Sequence, residues 1–221
     1  MIEERIIRLF NTFYHAHKCD FRLFADLFVR SYEGDTRRLS PVDARFVEEL
    51  SSLISELALA GNSTLPKLAE LIKEVEARRI YVVDCLGLPD LYAIWCHVNK
   101  SIIVVRAFIN PQAVTQTFKE VFGARTMAGV AASLGGLVLK SLDTMIHSEA
   151  FKWQDRNSLV GAIAARADYV RSYLGPLAEP GTVFISDHGY DAVKDGNRYA
   201  AAHAGLQKPK LAKLSSLVAI K

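Results

Sequence analysis

A series of short β-branched or aromatic runs, each ending at a polar residue, constrains this chain most. Ile80-Tyr81-Val82-Val83 runs into Asp84, and Ser101 to Ile109 (SIIVVRAFI) runs into Asn110-Pro111. Thr182 to Ile185 (TVFI) runs into Ser186-Asp187-His188-Gly189, and Leu217 to Ile220 offers a last run. Runs of this kind, bounded by turn residues, read as buried strands. Between them lie helical signals. A Gly87/Pro89 turn leads into apolar Leu91 to Trp95, and Val114 to Phe122 reads as a helix. Ser158 to Leu174, rich in Ala and Arg, ends at Gly175-Pro176. Met127 to Leu142 reads either as a buried helix or as a strand with a Gly-Gly turn. The stretch from Gly189 to His203 reads as a polar loop. Strands alternating with helices predict an α/β fold whose sheet carries helices on both faces.

The first part of the chain differs. Ile6, Leu9, Phe10 and Phe13, then Phe21, Leu23, Phe24, Leu27 and Phe28, recur at helical spacing. Ser40-Pro41 is a helix start, a capping serine before a first-turn proline. Residues 1–76 are therefore expected to form an N-terminal helical region and residues 77–221 the sheet domain. At 221 residues, of which 50% are hydrophobic and 23% charged, the chain can bury its own core and is not a disordered polymer. No apolar run reaches the roughly 18 residues of a membrane span, and the charged stretch after Met1 does not read as a signal peptide. Three cysteines (Cys19, Cys85, Cys96) without metal-type spacing read as free thiols of a reducing, cytoplasmic compartment. A net charge of +3 does not demand nucleic acid. The lysines at 208, 210, 213 and 221 could touch phosphate backbones but read more simply as a solvated tail. The Tyr14-His15-Ala16-His17-Lys18-Cys19 segment is not a metal site, since helical positions two apart do not share a face.

In open α/β sheets ligands bind beyond the carboxyl ends of the strands. Asp84 and Asp187-His188 fall at such ends. Asp143 and His147 stand four apart, and His203 follows the polar stretch. Singly, Asp84 could close a turn, Asp143/His147 could be a surface ion pair, and His203 could be bland. Asp187-His188 after a buried strand is harder to dismiss, because burying such a pair costs desolvation unless a partner compensates. Together they are three carboxylates and three imidazoles, enough ligands for two divalent ions.

The order of these residues resembles the alkaline phosphatase superfamily: an Asp at the first strand tip, a Ser or Thr nucleophile, Asp-x-x-x-His, Asp-His-Gly after a late strand, and a final His. The wording VVDCLGLPDLYAIW (82–95) and NPQAVTQTFKEVFG (110–123) is most similar to the PglZ domain branch, over residues 78–221. The resemblance implies an alkaline-phosphatase-like sheet. It implies that Asp84, Asp187 and His188 hold one metal together with the nucleophile oxygen, and that Asp143, His147 and His203 hold another, about 3.5–4 Å away. It implies Thr115 as the nucleophile, activated by metal coordination and placed at a helix start where backbone N–H groups face a phosphoryl group. Thr117, two residues on, is the rival. Gln116 and Lys119 are the expected substrate contacts, although this branch often carries Arg-Asn where Lys119-Glu120 stands here. Histidine-rich ligation points to Zn or Mn.

The function expected is a two-metal phosphohydrolase cleaving a phosphomonoester or phosphodiester, with a nucleotide as one candidate substrate. The alternative is a PglZ-like binding component of a phage-defence or signalling assembly, its partner held through the N-terminal helices and its metal site structural or weakly active. Ser148 to Arg156 (SEAFKWQDR) and Gly189 to Ala202 are the only segments placed to form a rim around the site. Cys85 is expected to be a small buried thiol.

Overall fold

The computed structural model describes residues 1–98, 102–203 and 208–221; Ser101 lies outside them. Four helices come first: α1 (Ile2–His17), α2 (Phe21–Glu33), α3 (Pro41–Leu59) and α4 (Leu65–Glu74). Their starts and stops are local chemistry. Asp20 accepts the Leu23 N–H at 3.0 Å to cap α2, and Gly34 ends it with a left-handed φ of 64°. Ser40 accepts the Asp43 N–H at 3.2 Å, with Pro41 in the first turn of α3. The chain continues through β1 (Arg79–Val83), α5 (Leu88–His97), β2 (Ile103–Ile109), α6 (Thr115–Val121), α7 (Met127–Ser133), β3 (Leu137–Leu139) and α8 (Ser141–Ile146). It closes with α9 (Arg156–Tyr173), β4 (Thr182–Ser186), β5 (Asp191–Asp195), β6 (Arg198–Ala202) and β7 (Leu214–Ile220).

The fold is mixed α/β. Five strands form one sheet in the order β2-β7-β4-β1-β3. β1 is parallel to β3 and β4, whereas β7 runs antiparallel to both β4 and β2. Side chains alternate between faces along each strand, and two cores result. Val83, Phe184 and Val218 face α1, α2, α3, α5 and α9. Val82, Val183, Ile185 and Leu217 face α4, α6 and α7. Central β4 is buried at every position, which explains its unbroken apolar wording. At the edge, three-residue β3 leaves Leu137 exposed.

Helices α1–α3 are not set apart from the sheet. Phe24 stacks on Tyr92 of α5 with centroids 4.4 Å apart, and Phe10 meets Trp95 at 5.8 Å. These helices share one buried cluster with α5 and α9. Across 76/77 the composition changes but the packing is continuous.

Three expectations need correction. The stretch from Gly189 to His203 is not a loop: β5 and β6 pair as a hairpin, and Gln154 and Tyr199 exchange backbone hydrogen bonds of 2.8 and 2.7 Å with each other. The alternation there (Tyr199, Ala201 against Arg198, Ala200) is short and Ala-rich, so period-two patterning is weak. Cys19 and Cys96 are joined in a disulfide 77 residues apart in sequence, leaving only Cys85 free and buried. Spacing could not show this, because the tertiary packing of α5 on α1 and α2 makes the pair. Lys213 is not a tail residue: it is buried, and its ammonium donates to the carbonyls of Leu57 (2.9 Å), Ala58 (3.1 Å) and Ala60 (2.6 Å), capping the C-terminal end of α3. Met127 to Leu142 resolves into both of its alternatives, α7 and then β3 across Gly135-Gly136. Among the described residues no helix is long and apolar enough to cross a membrane.

Candidate metal centre

Adjacent parallel strands deliver acids to one edge of the sheet. Val83 of β1 is in register with Ser186 of β4 and with Leu139 of β3. Asp84 and Asp187 therefore step off neighbouring strands at the same end, and α8, which starts two residues after β3, brings Asp143 to that edge. β2 runs in the same sense as β4, since both oppose β7, so Thr115 at the start of α6 lies at this edge too. His203 follows the β5–β6 hairpin, which carries it back over the site.

The turns there are unusual. Cys85 and Ala113 both adopt left-handed conformations, with φ of 64° and 53°, which cost a non-glycine residue about 1 kcal/mol or more. The Cys85 N–H thereby points at Asp187 Oδ1 (3.2 Å), and the Ala113 turn presents Thr115. Gly87 is required because a Cβ would stand 2.2 Å from the Tyr190 ring. Gly189 does not supply a positive φ; it allows close approach, since a Cβ there would lie 3.2 Å from the Leu211 carbonyl.

Two groups of side chains converge. In the first, Thr115 Oγ1 donates to Asp187 Oδ2 at 2.7 Å and lies 3.5 Å from His188 Nε2. His188 Nε2 lies 3.2 Å from Asp187 Oδ2 and 4.0 Å from Asp84 Oδ1. In the second, His147 Nε2 and His203 Nε2 are 3.1 Å apart, at 3.3 and 3.5 Å from Asp143 Oδ1. The groups touch: the His188 and His203 rings stack at 4.3 Å. Each group places its three ligand atoms within 4.8 Å of one another.

Burial sets the electrostatics. Burial first, then the neighbouring carboxylates of Asp187 and Asp143, push the Asp84 carboxyl up to about 6. Burial likewise raises Asp187 to about 6, against the hydrogen bonds from Thr115 and Cys85. His188 is pushed down to about 4, by burial and by the adjacent His203. The hydrogen bond with His203 holds the half-exposed Asp143 below the usual carboxylate range. The Gly189 carbonyl, 3.0 Å from His188 Nδ1, assigns the ring proton to that nitrogen and leaves the Nε2 lone pair facing the acids. Asp84 Oδ1 and His203 Nδ1 are buried without a hydrogen-bond partner. Lone pairs converging with an orphaned carboxylate oxygen are costly unless a proton or cation stands between them. A mixed oxygen and imidazole donor set of this kind fits Zn or Mn.

Two residues without a ligand-type signal organise the site. Asn110, read from the sequence only as punctuation, is buried and donates to the carbonyls of Val114 (2.9 Å) and Asp187 (3.0 Å), tying the two loops together. Arg166 of α9 is fully buried and paired with Asp90 at 2.9 Å. It donates to the carbonyl of Cys85, beside Asp84, and to that of Leu142, beside Asp143. One guanidinium thus braces the backbone next to both groups. No sequence signal marks it within an Ala- and Arg-rich helix.

The other expected residues fall outside the two groups. Thr117 faces Gln112 at 3.5 Å, not the acids, which separates it from Thr115. Gln116 is exposed and its amide donates to Glu120 at 2.8 Å, so it does not reach toward Asp187. Lys119 lies one turn past Thr115, half-buried. A cavity of about 870 Å³ lies at the other edge of the sheet, by Arg78, Gly181 and Ile220, away from both groups. No protein-family model, curated protein or solved structure matches this chain.

Proposed function

We propose that the chain is a two-metal phosphoesterase of the PglZ-like, alkaline phosphatase type, with Thr115 as nucleophile. The observation that carries this is the contact between the Thr115 hydroxyl and Asp187, 2.7 Å, inside two adjoining three-residue ligand groups at the carboxyl edge of the sheet. Asp84, Asp187 and His188 would hold one divalent ion and Asp143, His147 and His203 the other. Bound ions supply a lowered hydroxyl pKa and charge neutralisation at phosphoryl oxygens. Asp187 orients Thr115 Oγ1 and takes its proton as that oxygen attacks phosphorus and the ester P–O bond breaks. The proton taken by Asp187 passes through water to the leaving oxygen, which restores the Asp187 carboxylate. Attack of a second water breaks the threonine O–P bond and restores the hydroxyl. Asn110 and Arg166 keep the loops in register for both steps.

The test is hydrolysis of p-nitrophenyl phosphate and bis-p-nitrophenyl phosphate with added Zn or Mn. Turnover by the wild type, lowered on the order of 10³-fold or more in Thr115→Ala with metal content unchanged, is the expected outcome. The preferred ester names the substrate class. Stoichiometric metal without turnover would instead favour a binding component of a larger assembly. Absence of stoichiometric metal would overturn the reading. The cytoplasmic location belongs to this proposal and is tested by trapping thiols at cell lysis. The Cys19–Cys96 bond is what an oxidising compartment favours, so free Cys19 and Cys96 thiols in freshly lysed cells would support the location and a bonded pair would overturn it.

A further inference from the structure

A cavity of about 320 Å³ opens beside the second ligand group, and its wall includes His147 and His203 themselves. Apart from Lys152, the rest of the lining among the described residues is apolar: Ile146, Phe151, Trp153 and the Ala200-Ala201-Ala202 run of β6. Both segments expected to form a rim meet here, since the 3-10 turn Glu149–Phe151 leads to Trp153 and the Gln154–Tyr199 bridge fastens it to β6. The alanines keep the floor low, while the indole, the phenyl ring and the His147 imidazole supply flat faces. Lys152, the one cation outside the ligand histidines among the described lining residues, is paired with Glu149.

We propose that this pocket binds the organic group of the substrate, and that the group is aromatic, as in an aryl or nucleoside phosphoester. The inference rests on the phosphoesterase reading. A phosphoryl group held at Asp143, His147 and His203 has these side chains as its neighbours, so the substituent on its ester oxygen enters the space they border. Its volume is at the lower end of the range for small-molecule sites, enough for a base or a substituted ring. Offset stacking on Trp153 favours a planar group over an aliphatic one of equal area.

The test uses three non-hydrolysable probes, methyl-, cyclohexyl- and phenylphosphonate, titrated calorimetrically into Zn- or Mn-loaded protein. A fourth probe, adenosine, has no phosphoryl group and is followed by equilibrium dialysis. Phenylphosphonate is expected to bind about ten-fold more tightly than the methyl compound and measurably more tightly than the cyclohexyl one. Trp153→Ala, at a half-exposed position, and Ala202→Leu, which fills the floor, should each cut that advantage to about three-fold or less while leaving methylphosphonate unchanged. The two variants act oppositely on volume, and circular dichroism checks that each is folded. Equal binding of phenyl and cyclohexyl, or an advantage that survives both variants, overturns the proposal. If phosphonates fail but adenosine binds and is lost in the variants, the aromatic pocket stands and the phosphoesterase reading falls. If phosphonates bind alike whatever their substituent, the reading stands and the pocket falls. If no probe binds, both fall.

Discussion

At the scale of single residues, the site is held by burial working against charge. Asp84 and Asp187 are both raised to about 6 and His188 is lowered to about 4. At pH 7.5 His188 is thus already neutral and both carboxyls are largely ionised, so a cation meets little proton competition. At pH 5.5 it must displace protons from the two carboxyls. Zn or Mn should therefore bind more weakly as the pH falls through about 6, and release more protons per ion at pH 5.5 than at 7.5. Calorimetry in buffers of different ionisation heat reads this directly. Linkage sets the sign for the metal-free fold. Raised carboxyls make the folded chain bind protons that the unfolded chain does not, so their contribution to stability grows below pH 6 and is lost above it. His188, lowered, opposes them, losing stability between its ordinary value and about 4. Added metal should accordingly raise the melting temperature more at pH 7.5 than at pH 5.5. Equal gains at both would argue that these carboxyls do not ligate. The thiols give a further count. Native protein should show no reactive thiol, because Cys19 and Cys96 are bonded and burial pushes the Cys85 thiol well up. Unfolded protein should show one, and unfolded, reduced protein three.

At the scale of elements, the buried Arg166–Asp90 pair links α9 to the turn that opens α5. Its two side chains are fully inaccessible. Arg166→Met leaves a buried carboxylate and two carbonyls without their donor, and should cost about 3–5 kcal/mol in urea unfolding. Adding Asp90→Leu removes the uncompensated charge and should recover part of that loss. Metal affinity should not recover with it, since the Cys85 and Leu142 carbonyls still lack the guanidinium that holds Asp84 and Asp143 in place. Full recovery of affinity in the double variant would make Arg166 a stability residue alone.

At the scale of the molecule, α1–α3 complete the core rather than decorate it. Phe10, Phe13 and Phe24 surround Tyr92, and Lys213, just before β7, closes the end of α3. Residues 77–221 alone would expose these aromatic faces. That fragment should bind a hydrophobic dye and lose near-ultraviolet dichroism, whereas the full chain should melt in one cooperative transition. A folded, monomeric fragment would support a division at residue 76.

Element type was legible wherever the local signal was strong. Ser40-Pro41 sets the start of α3, and the apolar wording TVFI marks a central strand, because capping and two-sided burial are written in neighbouring residues. The separate positions of Asp84, Thr115, Asp143, His147, Asp187, His188 and His203 were legible as an order. Their convergence was not, since it depends on β1, β3 and β4 lying side by side in register. The Cys19–Cys96 bond, the capping role of Lys213 and the bracing by Arg166 were decided by tertiary structure alone. Each joins residues far apart in the chain, and no periodicity or spacing within either segment carries the identity of its partner.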